Sequence, residues 1–124
     1  MGLLDTLKRP RTAKQQAGDA AEDTARRYLE ARGMSLQERN FRCKGGELDL
    51  VMQEGKTLVF VEVRQRSGDG FGGAAASVTP HKQRRLIVAA HVYLQRYTMP
   101  PPCRFDIVAI DNGRISWIRD AFGA

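Results

Sequence analysis

Hydrophobic and polar residues follow two patterns along this chain, one typical of helices and one typical of strands. A first helix is predicted over residues 15–32, because apolar and small residues recur there at the spacing of one helix face. These residues are Ala21, Ala25, Tyr28 and Leu29. The whole chain predicts one helix, three strands, a second helix beginning at Pro80, and two strands. The strands are predicted over residues 34–41, 47–52, 57–63, 103–110 and 114–118.

The segment over residues 57–63 has the strongest strand character. It contains no glycine and no proline, and its apolar side chains point in both directions. Val59 and Val61 share one face, whereas Leu58 and Phe60 share the other. A strand that is apolar on both faces is typical of the centre of a covered sheet. We therefore expect an α/β fold in which a central mixed β-sheet is flanked by helices.

The chain is short and basic. Its 124 residues are the size of one domain, which we assign to residues 15–124 after a flexible basic tail over residues 1–14. The net charge of +6 favours a negatively charged partner, with nucleic acid first. Cys43 and Cys103 lie far apart and lack metal-ligand spacing, which indicates a reducing cytoplasm. No apolar run is long enough to span a membrane, so no membrane partner is expected.

Two acidic residues lie within apolar strand segments. Asp49 lies between Leu48 and Leu50 in the second strand, and Glu62 lies in the third. Strand periodicity predicts that Leu48, Leu50 and Met52 share one face and that Asp49 points to the other. Carboxylates in such segments are costly to bury unless a cation, a hydrogen-bond donor or a metal ion compensates the charge. Both residues are therefore candidates for a functional site.

A third carboxylate, Glu22, lies at the edge of the apolar face of the first helix. The predicted element order lets these three acids converge at one end of the sheet. Carboxylate oxygens favour Mg²⁺ or Mn²⁺ over zinc, and such an ion can activate water for phosphodiester hydrolysis. Taken singly, each strand acid is explained more simply by an ion pair with a nearby arginine; the candidates are Arg64, Arg66 and Arg104. Asp106 is a secondary candidate acid, with Arg104 as its expected partner.

Several separated motifs together resemble a known family. They are GELDL at residues 46–50, VFVEVR at 59–64, a helix bearing Lys82, and CRFDIV at 103–108. Their order and spacing resemble the YraN-like family of uncharacterised bacterial proteins over about residues 15–123. That family is similar to archaeal-type Holliday junction resolvases and to the PD-(D/E)xK nucleases. The resemblance therefore implies a restriction-endonuclease-like fold.

The resemblance also implies a metal-dependent endonuclease that acts on structured or branched DNA with Mg²⁺ or Mn²⁺. By resemblance, Glu22, Asp49 and Glu62 hold the metal, with the backbone carbonyl of Val63 as an extra ligand. Asp49 and Glu62 would also be catalytic, together with Arg64, which stands where the family pattern has lysine. Arginine stays protonated and cannot act as a general base. The sequence thus leaves open a second function, a nucleic-acid-binding protein with a degenerate nuclease site.

Basic residues provide the predicted nucleic-acid surface: Arg39, Arg42, Lys44, Arg66, Lys82, Arg84 and Arg85. Contacts from these residues to phosphates predict an affinity that falls steeply with salt. Lys44 and Lys82 are also candidates to supply the ammonium group that position 64 lacks. The glycine-rich residues 66–77 are predicted to form a flexible flap beside the substrate. Because resolvases of similar fold act as dimers, the resemblance implies a homodimer.

Overall fold

The fold is a five-stranded sheet with one helix packed on each face. The computed structural model describes residues 12–68 and 73–123. Its elements are α1 (Ala13–Glu30), β1 (Ser35–Cys43), β2 (Gly46–Glu54), β3 (Thr57–Arg66), a 3₁₀ turn (Ala75–Ser77), α2 (Pro80–Leu94), β4 (Cys103–Asp111) and β5 (Arg114–Phe122). This order confirms the predicted succession of helices and strands. Within the described ranges, neither helix is long and apolar enough to cross a membrane.

Helix α1 begins earlier than predicted because Thr12 caps it. The Thr12 hydroxyl accepts a hydrogen bond from the backbone N–H of Gln15, and the Gln15 side chain accepts one from the backbone N–H of Thr12. This reciprocal capping satisfies N–H groups that a helix N-terminus otherwise leaves unpaired. Residues 13–14, predicted as the end of the basic tail, therefore belong to α1. The rest of that tail, residues 1–11, lies outside the described residues.

The strands lie in the order β1-β2-β3-β4-β5. Strands β3 and β4 pair in parallel, whereas the three other neighbouring pairs are antiparallel. The parallel pairing is possible because α2 lies between β3 and β4 in sequence and returns the chain to the same end of the sheet. The sheet is therefore mixed, as predicted, and β3 is its central strand.

Two apolar clusters hold the layers together. On one face of the sheet, Leu86 and Tyr93 of α2 pack with Phe60 of β3. On the other face, Leu29 of α1 packs with Val61 of β3. The side chains of β3 alternate between the two clusters, as the period of a strand requires. Burial of this apolar surface is the main contribution that stabilises the three layers.

The alternation of side chains in β2 is broken at Asp49. Leu48 packs in the cluster under α2, whereas Leu50 and Met52 pack in the cluster under α1. The prediction that these three residues share one face is therefore wrong. Residues two apart on a regular strand lie on the same face, so the backbone must turn between Leu48 and Leu50. At this point the Asp49 carboxylate accepts a hydrogen bond from the backbone N–H of Val63 on β3 (2.9 Å).

Strand β5 extends beyond its predicted end at residue 118 because a bulge lets it resume pairing with β4. Phe105 and Ile107 of β4 pair with Phe122 and Ile118 of β5, so β5 carries extra residues opposite Asp106. Phe122 stacks on Phe105 with the ring centroids 4.8 Å apart. This contact packs the end of β5 against the core cluster under α2.

Asp106 is completely buried and holds this bulge in place. Its carboxylate accepts hydrogen bonds from the backbone N–H of Asp120 (2.9 Å), from the Arg104 guanidinium (2.9 and 3.2 Å) and from the Trp117 indole (2.9 Å). The predicted Arg104 partner is thus confirmed. These contacts give Asp106 a structural role, because a buried carboxylate needs this compensation.

We predict that Asp106→Asn lowers the free energy of unfolding by about 3 kcal/mol, because the Arg104 guanidinium loses its buried charge partner. Urea unfolding at neutral pH measures this loss. The matched control is Glu54→Gln, since Glu54 contacts Arg104 (3.0 Å) but is more exposed. The control is expected to cost less than about 1 kcal/mol. Equal losses in the two variants would contradict the prediction.

Candidate functional site

A cleft of about 1110 Å³ lies where β1 and β3 end and β2 begins, beside the first turns of α1 and α2. All residues predicted to bind metal or to take part in catalysis line this cleft: Glu22, Asp49, Glu62, Val63 and Arg64. Among the described residues, no group of three or more histidine, cysteine or acidic side chains is arranged so that it could hold a metal ion. The metal-binding role of the three acids therefore stays a prediction.

Glu62 lies at the bottom of the cleft, and its side chain is 1% exposed. The oxygen Oε2 lies 3.4 Å from Nη1 of Arg64 and 3.6 Å from Nζ of Lys82. The oxygen Oε1 is buried, and no hydrogen-bond donor of the described residues reaches it. The contact with Arg64 that the sequence allowed is thus present, but Arg64 and Lys82 reach only one of the two Glu62 oxygens.

Burial, followed by the charge of Asp49 and a hydrogen bond with Asp49, raises the pKa of Glu62 to about 9. The cations Lys82 and Arg64 act in the opposite direction and do not outweigh these effects. At neutral pH, Glu62 therefore keeps its proton, and the two carboxyl groups stay in contact. Because two adjacent carboxylates repel each other in a buried site, the pair needs either a proton or a cation.

Asp49 reaches Glu62 because β2 separates from β3 at this point. The pairing of the two strands ends at Leu50, which lies opposite Val61. The backbone N–H of Val63, which a regular sheet would pair with backbone of β2, is donated to the Asp49 side chain instead. The Asp49 carboxylate therefore points towards β3, along the direction of strand pairing, and not to the sheet face that the alternation of side chains in β2 predicts.

Glu22 approaches the pair from α1. Burial raises the pKa of Glu22 to about 7, and the charge of Asp49 acts in the same direction, whereas Arg39 lowers it. The Nη2 atom of Arg39 lies 3.6 Å from Oε1 of Glu22. With its amide nitrogen turned towards Glu22, Asn40 lies 3.1 and 3.3 Å from the two carboxylate oxygens. Asn40 was not among the predicted site residues. The sequence signal that could have indicated it is an asparagine within a predicted strand.

Helix α2 places Lys82 against Glu62. The helix begins at Pro80, as predicted, and Thr79 caps it, so Lys82 lies in the first turn. The ammonium group of Lys82 lies 3.5 Å from Glu47 as well as 3.6 Å from Glu62. Glu47 was missing from the predicted site, because a sequence does not show which strand residues a helix will cross.

Arg64 connects β3 to the turn before α2. Its Nε donates to the hydroxyl of Ser77 (2.8 Å), and its Nη2 donates to the Ser77 carbonyl (3.4 Å). Nearby, Asp111 accepts a hydrogen bond from the backbone N–H of Ala74 (2.6 Å). These contacts hold the end of the segment that was predicted to be a flexible flap. Residues 69–72 of that segment lie outside the described residues.

The residues predicted to bind nucleic acid fall into three groups. The cleft is lined by Arg42, Arg66 and Lys82. Outside the cleft lining are Lys44, Arg84 and Arg85. Arg39 is held by Asp23 (2.8 Å) and by Glu22 (3.6 Å), and therefore compensates acids of α1. The structure thus brings part of the predicted basic surface to the acids and leaves the rest on neighbouring surfaces.

We predict that Glu62→Gln becomes more stable than the unmutated chain as the pH rises. The folded chain keeps the Glu62 proton up to a pKa of about 9, whereas the unfolded chain releases it near the usual value of 4.5. Stability is therefore lost as the pH rises through this window, and glutamine removes that loss. Urea unfolding in chelator should show the difference growing by more than about 1 kcal/mol between about pH 5 and pH 9.

The matched control for this measurement is Glu30→Gln, which changes an exposed carboxylate of α1. Its stability should follow the pH dependence of the unmutated chain. Parallel pH curves for Glu62→Gln and the unmutated chain would show that Glu62 titrates like an exposed carboxyl.

Comparison with known proteins assigns the chain to a family. The family model described as "Uncharacterised protein family UPF0102" matches residues 21–110, a range that contains the three acids and Lys82. A UPF0102 protein of Herminiimonas arsenicoxydans is 64% identical over 98% of both chains. A UPF0102 protein of Janthinobacterium sp. (strain Marseille) is 62% identical over 98% of both chains. A UPF0102 protein of Ralstonia pickettii is 58% identical over 92% of this chain and 95% of the relative. The chain therefore belongs to the uncharacterised protein family UPF0102, which confirms its resemblance to YraN-like proteins.

Proposed function

We propose that this protein is a metal-dependent endonuclease that acts on structured or branched DNA, similar to the archaeal-type Holliday junction resolvases. One observation carries the proposal. Asp49 and Glu62 lie in contact at the bottom of an open cleft, and Glu62 is buried with an oxygen that no hydrogen-bond donor of the described residues reaches. A fold that keeps so costly a pair is explained by a ligand that compensates it.

The carboxylate oxygens that line the cleft are donors of the kind that a divalent cation prefers, although the described side chains are not arranged as a ligand group of three. An ion can take the place of the proton that keeps the Asp49 and Glu62 carboxyl groups together. Glu22 and the backbone carbonyl of Val63 would complete an all-oxygen set, which Mg²⁺ and Mn²⁺ prefer. The chemistry that such an ion supplies is polarisation of the scissile phosphate and activation of a water molecule.

Lys82 supplies the ammonium group that the nuclease pattern expects at position 64. Its Nζ lies 3.6 Å from Glu62, within reach of a phosphate bound above the acids. An ammonium is a compact donor that can stabilise charge developing on a phosphate oxygen. Arg64 neutralises the same carboxylate from β3 and is held by Ser77. In this proposal, Lys82 stabilises charge on the phosphate and Arg64 neutralises Glu62, two roles that the nuclease pattern assigns to one lysine.

The basic residues around the cleft fit a nucleic-acid substrate. Arg42 and Arg66 line the cleft beside Lys82, and both are exposed. Contacts from these residues, with Lys44, Arg84 and Arg85 on adjoining surfaces, would position the phosphate backbone. The mixed sheet with acids on α1, β2 and β3 supports a restriction-endonuclease-like fold. Unpaired cysteines support a reducing cytoplasm, and a homodimer follows from the resemblance to resolvases.

A second candidate function, a nucleic-acid-binding protein with a degenerate nuclease site, is favoured by Arg64. Its guanidinium is engaged by Ser77 and Glu62, and it cannot give up a proton as lysine can. Under this alternative, DNA binding depends on salt but no cleavage occurs. The two functions differ in whether the acids are needed for product formation.

We predict that the unmutated chain cleaves four-way junction or flap DNA in the presence of Mg²⁺ or Mn²⁺. Asp49→Ala and Glu62→Ala should each lower the cleavage rate by about 100-fold or more, because each removes a carboxylate from the proposed metal site. Cleavage is measured on labelled junction, flap, single-stranded and duplex DNA with each metal.

The control for the cleavage assay is Glu30→Ala, which removes an exposed carboxylate from α1. It should leave the cleavage rate unchanged. Binding of the same DNA without cleavage of any substrate under either metal would support the non-catalytic alternative. Absence of both binding and cleavage would contradict both functions.

We predict that Lys82→Met lowers kcat by about tenfold or more without weakening Mn²⁺ binding. The substitution keeps most of the apolar stem but removes the ammonium, and loss of a cation beside Glu62 does not reduce the attraction of the acids for a metal ion. Single-turnover cleavage and Mn²⁺ titration measure the two effects separately. Lys56→Met, in the exposed turn between β2 and β3, is the matched control. A parallel loss of cleavage and Mn²⁺ affinity in Lys82→Met would contradict the assigned role.

A further inference from the structure

Asn40 has a left-handed backbone conformation inside a strand. Its φ angle is 53°, which is uncommon for a residue other than glycine, although asparagine tolerates it better than most. Two other described residues of this kind have local reasons. Asn112 (φ 50°) lies in the turn between β4 and β5, and Asp120 (φ 51°) lies in the bulge of β5. Asn40 lies within β1, where neither reason applies.

The conformation of Asn40 coincides with the turn of β2 at Asp49. Arg39 pairs with Leu50 and Phe41 pairs with Leu48, so Asn40 lies opposite Asp49 between these pairs. Leu48 and its partner Phe41 pack in the cluster under α2. Leu50 packs under α1 on the other face, where its partner Arg39 contacts Asp23 of α1. The paired strands therefore rotate together at this point. The rotation directs Asp49 to the backbone N–H of Val63 and into contact with Glu62. The left-handed backbone of Asn40 is the β1 side of the same distortion.

The Asn40 side chain contacts the third acid. With its nitrogen turned towards Glu22, the amide lies 3.1 and 3.3 Å from the two carboxylate oxygens. The preceding residue, Arg39, contacts the same carboxylate from 3.6 Å. Asn40 therefore touches Glu22 through its side chain and shapes the position of Asp49 through its backbone.

We propose that Asn40 is the positioning residue of the carboxylate site, holding Glu22 through its amide and turning Asp49 towards Glu62 through its left-handed backbone. This inference rests on the proposed function, because it assigns the residue that arranges the proposed metal ligands. Partners that orient the side chains of metal ligands commonly change metal affinity by about 10- to 100-fold. Asn40 acts on the acids and not on the reacting phosphate.

Two substitutions separate the side-chain role of Asn40 from its backbone role. Asn40→Gly keeps access to positive φ and removes only the amide, so Mn²⁺ affinity should fall by about tenfold. Asn40→Ala also disfavours positive φ, so the affinity should fall further. Mn²⁺ titration by calorimetry or electron paramagnetic resonance measures both. An unchanged affinity in Asn40→Gly would overturn the role of the amide, and equal affinities in the two variants would overturn the role of the backbone.

The matched control is Asn112→Ala, which imposes the same change at a left-handed asparagine that does not line the cleft. This variant should lose stability but keep the Mn²⁺ affinity of the unmutated chain. A loss of affinity as large as that of Asn40→Ala would show a general effect of destabilisation and would overturn the inference.

A second measurement is independent of metal binding. In the metal-free chain, the side-chain amide protons of Asn40 should change their NMR chemical shifts in Glu22→Gln, whereas those of Asn112 should not. Unchanged Asn40 shifts would overturn the contact. If the unmutated chain binds no Mn²⁺ but the Asn40 shifts respond to Glu22→Gln, the proposed metal site fails while the positioning of Glu22 by Asn40 stands.

Discussion

The contact between the carboxyl groups of Asp49 and Glu62 is the constraint on which the architecture of the cleft depends. Burial of Glu62 and repulsion by Asp49 raise the pKa of Glu62 to about 9, although Lys82 and Arg64 lie within 4 Å of one oxygen. The two cations do not lower the pKa to its usual value, because both lie beside Oε2 and no donor of the described residues reaches Oε1. With both carboxyl groups ionised, the site would hold more negative charge than the two cations compensate, and for this reason Glu62 keeps its proton.

The Asp49–Glu62 contact constrains both the pairing of β2 with β3 and the distance between α2 and the sheet. Asp49 can reach Glu62 only where β2 leaves β3, and the backbone N–H of Val63 released there is taken up by the Asp49 side chain. Above the sheet, α2 must lie close enough for Lys82 to reach the same acid. Gly46 permits this approach, since a Cβ atom at that position would overlap the carbonyl oxygen of Arg85. The end of the β2–β3 pairing at Leu50 and the glycine at position 46 thus both bring charged groups to Glu62.

Sequence pattern predicted the elements well where the backbone is regular. The alternation through β3 identified the central strand, because its side chains lie strictly on opposite faces. The same rule placed Leu48 wrongly, since hydropathy does not show that the backbone turns at Asp49. It also ended β5 too early, because the pairing that resumes at Phe122 depends on a bulge held by the buried Asp106. Hydrogen bonds between residues far apart in the chain cannot be predicted from the local pattern of hydrophobic and polar residues.

The sequence predicted that the three acids converge in one cleft, but it did not predict how the cations are distributed around them. Position 64 has arginine where the proposed nuclease pattern has lysine, yet the guanidinium fork spans Glu62 and Ser77, which a single ammonium cannot do in the same way. By holding Ser77, Arg64 anchors the turn that leads into α2, and the first turn of α2 carries Lys82 back to Glu62. The departure at position 64 and the ammonium on the helix are therefore two parts of one arrangement, in which the arginine helps to place the lysine.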